Sequence, residues 1–176
     1  MIFYRLKNRT RSIVKFKYII GISILAMLLG FEITELFVKG SHIDQLTSFD
    51  NNFLSNPGAQ YFFENNITFF LIMSILPFIN VPIFIVQMLV SGMHARLIAD
   101  LPLSYQFEIF YRHFTLEYIA LLISLNISGL LYGVLQKMHK YRDYKPKNDF
   151  LHIILLYGIM VVLTIIAAVL EGGAFA

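Results

Sequence analysis

Cysteine and tryptophan are both absent from this 176-residue chain, and charge is scarce: Asp, Glu, Lys and Arg together make up 14% of it. Without cysteine there is no disulfide framework, no thiolate nucleophile and no Cys-bound zinc or iron–sulfur site. Without tryptophan, any aromatic belt at a membrane surface falls to the 10 Tyr and 17 Phe. The shortage of charge excludes most. A soluble domain is about 25% charged and roughly 45–50% apolar, whereas this chain is 57% apolar with a mean hydropathy of +0.68. A soluble enzyme, a disordered chain and a secreted disulfide scaffold are excluded. The Gly-rich phosphate loop, G-x-S-x-G and H-E-x-x-H are also missing.

What is present is a series of apolar runs. Residues 1–17 carry Arg5, Lys7, Arg9, Arg11, Lys15 and Lys17 without an acid, and an apolar stretch follows from Tyr18 to about Val38. It is too long for a signal-peptide core and ends without a small-x-small site, so it reads as a retained first membrane helix. A polar outer loop (39–60) precedes a second apolar stretch, Tyr61 to Ala99, interrupted by Pro77 and Pro82. Interior prolines remove a backbone donor and clash with the preceding turn, so this stretch reads as two helices meeting near residues 77–82. Phe107, Phe110, Tyr111, Phe114 and Tyr118 then fall at helical spacing, with Glu108 and Arg112 placed to pair on the wetter side. That piece reads as a short interfacial helix leading into a span over about Thr115–Gln136. A basic loop (137–149) and a last span, about Phe150–Leu170, complete the chain. The fold expected is all-α: a polytopic transmembrane helix bundle of about five spans, with one broken helical hairpin, forming a single integral membrane domain over residues 1–176.

Charge placement orients it. Eleven of the 14 Lys and Arg lie in the N-terminal tail and the 137–147 loop, so both are expected in the cytoplasm. The 61–99 stretch must then cross an even number of times: twice as a hairpin, or not at all as a re-entrant pair. Two crossings are favoured. Nine of the 11 acids then fall on or near the outer side.

Ionisable groups near hydrocarbon are costly and usually face protein. His113 and Glu117, four apart at the start of the fourth span, share a helix face with room for Glu171, Arg96 and Arg112 as partners. The set reads either as a proton or metal site, with His94 as a further candidate, or as structural ties between helices and contacts to a partner. A metal needs three or four ligands and the sequence brings two together, so no metal and no cofactor is expected. Of Asn65 and Asn66, one reads as a cap at the start of the second span. Gly129-Leu-Leu-Tyr-Gly133, with Ser124 and Ser128 before it, reads as a close-packing helix face within the chain or between subunits.

Taken together, Asn65-Asn66, Ser91-Gly92, His113-Phe-Thr-Leu-Glu117-Tyr-Ile-Ala120 and Ala167-Ala168-Val-Leu-Glu171 resemble the pattern of the stage II sporulation protein M family over about residues 60–172. Phe114 stands where that family usually has Gly. The resemblance implies a multi-span protein of the bacterial cytoplasmic membrane without enzymatic activity. It would be a subunit of a larger assembly, either a peptide or bacteriocin export or self-protection complex around an ABC transporter, or a cell-envelope remodelling complex. The partners implied are other membrane proteins, lipid, a cationic or hydrophobic peptide, and a second copy of the chain, with no role for nucleic acid. The rival expectation is an autonomous small transporter or immunity protein, and an intramembrane hydrolase comes a distant third.

Overall fold

The computed structural model of the chain describes residues 2–40, 58–141 and 143–174. Most of the expected outer loop (41–57, with His42) and Arg142 of the basic loop lie outside the described residues, as do the side chains of the 1–17 tail. The described residues are helical and hold no strand: α1 (Ile2–Gly40), α2 (Ala59–Ile75), α3 (Asn80–Leu97), α4 (Leu103–Gln106), a π turn (Phe107–Tyr111), α5 (Arg112–Lys140) and α6 (Lys147–Ala174).

Three of these helices are long and apolar enough to cross a membrane, over Tyr18–Phe37, Arg112–Lys140 and Lys147–Glu171. They coincide with the first, fourth and fifth expected spans. The other two expected spans, α2 and α3, have 17 and 18 residues and are not among the three. Pro77 stands one residue past the end of α2, after Leu76, while Asn80, Gln87, His94 and Arg96 dilute the apolar character of α3. The break itself falls where the prolines put it. Ahead of Pro77, the Leu76 N–H still reaches the Ile72 carbonyl at 3.2 Å. Pro82 sits in the first turn of α3, where a helix has no intrahelical acceptor for its N–H groups.

Contacts divide the chain into two compact units, Met1–Ile43 with Phe84–Asp100, and Asp44–Ile83 with Leu101–Ala176. In the first unit α1 buries Ser23, Ala26, Gly30 and Thr34 along one face. A Cβ at Gly30 would land on the Leu89 backbone carbonyl, and one at Gly92 on the Met27 carbonyl. The two helix backbones therefore touch directly, which only glycine permits. Small residues at such crossings maximise van der Waals contact where lipid offers no hydrophobic drive to associate. Near the C-terminal ends of both helices Arg96 donates to Glu35, and its guanidinium lies 5.8 Å from the centre of the Phe31 ring. Met27–Gly92 and Gly30–Leu89 run in opposite directions along the two helices, as at a close crossing, and Glu35–Arg96 joins the helices again beyond it. The opposite side of α1 exposes Leu25, Leu28, Leu29 and Leu36.

In the second unit α5 and α6 form an antiparallel pair. Lys137 Nζ bonds Asp149 at 2.9 Å at one end, and Arg112 Nη2 donates to the Leu170 carbonyl at 2.9 Å at the other. α2 packs on both. It meets α5 through Asn66 and Glu117, and again where the Phe78 ring just beyond it stands 5.4 Å from the Tyr132 ring, edge to face. Between these points the hydroxyls of Ser74 and Tyr157 link α2 to α6 at 2.7 Å. The order of contacts makes α2 parallel to α5 and antiparallel to α6. Met73, Ala120, Ile127, Met160 and Ala167 are wholly buried in this unit. At the basic loop Tyr144 donates to Asp149, and this hydrogen bond raises the phenol above its ordinary pKa.

Candidate functional site

The polar cluster of the second unit is assembled by three helices at one end. A π turn immediately precedes it: the Arg112 N–H reaches back five residues to the Phe107 carbonyl. Such wide turns recur at functional sites because they rotate the residues that follow. From within it onward Phe110, Phe114 and Tyr118 stack in sequence, the first two rings 4.8 Å apart and 12° from parallel. Phe114 is thus part of an aromatic ladder that runs from the π turn along α5.

Four of the five expected cluster residues come together. Glu117 of α5 accepts a hydrogen bond from the Asn66 amide of α2. His113, 7% exposed, points Nε2 at Glu171 of α6 across 4.0 Å. That is beyond direct hydrogen-bonding range and is a spacing that water bridges. Arg112 places its guanidinium on the Leu170 carbonyl near the C-terminal end of α6, where the helix dipole favours a cation. Arg112 Nε, His113 Nδ1 and Glu171 Oε2 are buried without a hydrogen-bond partner. The fifth residue, Arg96, is held in the first unit by Glu35 and, at 3.0 Å, by Asp100.

Other expectations are redistributed. The expected Glu108–Arg112 pair is not formed among the described residues: a π turn lies between the two, and Arg112 bonds the Leu170 carbonyl instead. Asn65 and Asn66 do not cap α2: the helix begins at Ala59 with Gly58 at the cap position. Asn65 is exposed. Asn66 is an interhelical donor instead.

The expected α5 packing face splits in two. Ser124 and Ser128 are fully buried, but a Cβ at Gly129 or Gly133 would meet nothing within 4 Å. One residue of rotation, about 100° in a helix of 3.6 residues per turn, turns the glycine pair off the face that the serines occupy. The glycine that does pack, besides Gly92, is Gly30. Its signal was the spacing of Ala26, Gly30 and Thr34 in the first apolar run. His94 is exposed, and no set of three His, Asp or Glu among the described residues is placed to hold a metal ion.

Chemically, the cluster can do two things. Its amide, carboxylates, imidazole and guanidinium tie α2, α5 and α6 together, and its unpartnered buried atoms can bind water or exchange a proton. Compared with family models, with curated proteins and with solved structures, the chain finds no match in any of the three.

Proposed function

We propose that the chain is a non-catalytic integral membrane subunit that scaffolds or completes a larger assembly. The assembly we favour is a peptide or bacteriocin export or self-protection complex around an ABC transporter, with a cell-envelope remodelling complex of the stage II sporulation protein M type as the other candidate. The observation that carries the reading is the use made of the ionisable residues. Asn66 with Glu117, and Arg112 with the Leu170 carbonyl, are spent on joining helices to one another. The open Gly129–Gly133 side of α5 adds a surface where a neighbouring helix backbone can approach closely. The resemblance in the spacing of His113, Glu117 and Ala120, and in the closing Glu171, points the same way.

In this reading the chain crosses the bacterial cytoplasmic membrane five times, with its N-terminus in the cytoplasm. At 1.5 Å per residue α2 and α3 measure about 26 and 27 Å, close to the roughly 30 Å hydrocarbon thickness and far longer than re-entrant halves need. Five alternating crossings require α1 parallel to α3, α2 parallel to α5, and α6 opposed to α2 and α5. The contacts of the second unit support the directions of α2, α5 and α6.

An autonomous transporter or immunity protein is the second reading. What favours it is the break between α2 and α3, where Asn80 buries an unpartnered side-chain oxygen, since broken helices often line substrate sites. Extraction from the native host in mild detergent, with identification of whatever co-purifies, separates the two. The subunit reading expects a membrane partner in fixed ratio. The autonomous reading expects the chain alone, active in liposomes.

A further inference from the structure

A groove beside the cluster is not used by the interhelical ties. It is a shallow, open depression of about 500 Å³ lined by Leu103, Ser104, Phe107, Glu108 and Arg112. Two opposite charges stand in it without pairing. Glu108 is exposed and forms no ion pair among the described residues. Arg112 commits only Nη2 to Leu170 and leaves Nε without a partner. In an α-helix residues four apart can meet on one face; here a π turn lies between these two, and both line the groove without an ion pair joining them. The remaining walls are apolar and open, Leu103 and Phe107 being 74% and 57% exposed.

The groove lies at the start of the candidate span Arg112–Lys140, and so at headgroup level in a membrane that the span crosses. An occupant that satisfies it carries an anion for the guanidinium, a cation for the carboxylate, and hydrocarbon for Leu103 and Phe107. We propose that this groove seats a phospholipid whose headgroup bears both a phosphate and a primary ammonium, namely phosphatidylethanolamine. The phosphate accepts charge-assisted hydrogen bonds from Arg112, and the ammonium donates to Glu108. Phosphatidylglycerol has no cation to offer Glu108 and brings a net negative charge towards it. Phosphatidylcholine has a cation without an N–H to donate. The proposal does not depend on whether the chain works within an assembly.

The test is native mass spectrometry of the full chain, released from detergent after equilibration with equal amounts of phosphatidylethanolamine, phosphatidylcholine and phosphatidylglycerol. The wild type is expected to retain phosphatidylethanolamine over each of the others by about fivefold, the scale of one exposed ion pair. Glu108→Gln, at an exposed position, is expected to abolish that preference with no change in melting temperature. Arg112→Gln is expected to lose all three lipids, and Arg112→Lys to retain them. Because Arg112 also ties α6, Glu108→Gln decides the matter should Arg112→Gln fail to fold. Equal retention of the three lipids, a wild-type preference for phosphatidylglycerol, or a phosphatidylethanolamine preference unchanged by Glu108→Gln overturns the proposal.

Discussion

Asn66 stands in the second turn of α2, where its amide serves no cap and reaches across to Glu117 instead. From sequence alone an Asn-Asn pair near the start of an apolar run reads as a cap, because caps are where asparagine does most for a helix. Only the true start at Ala59 moves it inside. Removing one partner of a buried hydrogen bond costs about 1–3 kcal/mol, while replacing both with apolar groups can be nearly neutral. Asn66→Leu alone is therefore expected to destabilise the protein by that amount in detergent unfolding, and Asn66→Leu with Glu117→Leu to recover most of the loss. Strictly additive losses in this cycle would show that the two side chains do not act as a pair. His113, Glu117 and Glu171 were legible as a group because ionisable residues in apolar helices are costly enough to demand partners. Arg96 was drawn into the same group by its charge. The contact that claims it, Glu35, lies 61 residues away along the chain.

At the scale of helices, two glycine positions that look alike in sequence behave in opposite ways. Gly30 faces the Leu89 backbone, whereas Gly129 faces open space. Gly30→Ala is expected to push α1 off α3 and destabilise by about 1–3 kcal/mol, as overpacking does. Gly129→Ala is expected to be neutral or to stabilise by up to about 1 kcal/mol, the helix propensity gained over glycine. Thermal melts of the two variants in detergent check both, and equal losses would contradict the assignment of faces. Helices were legible where the chain is apolar, though α1 extends back to Ile2 through the stretch read as a basic tail, and the Pro77–Pro82 break was placed to within a few residues, because proline chemistry is local. The π turn was not. Its residues, Phe107–Tyr111, carry no composition that separates hydrogen bonds reaching five residues back from those reaching four, and the Glu108–Arg112 pairing expected from spacing is not formed across it.

For the whole molecule, the absence of cysteine becomes an asset: single cysteines can be introduced for labelling without a background. With two crossings by α2 and α3, a cysteine at Phe78 reacts with a membrane-impermeant thiol reagent only after the cytoplasmic side is opened, as does one at Asp143. One at Ser55 reacts from outside. Labelling of the Phe78 variant in intact cells would replace the hairpin with a re-entrant pair. Sequence left this point open because the turn has no basic residue to hold it inside, whereas the basic tail and the 137–147 loop carry the charge from which a cytoplasmic side is expected. The functional reading rests on neighbours, so the most direct measurement is the composition of what leaves the native membrane with the chain. After cross-linking in the host, mild extraction and quantitative mass spectrometry, a transporter or envelope protein is expected at a fixed whole-number ratio to this 20.3 kDa chain. Recovery of the chain alone, or only with itself, would contradict the assembly reading.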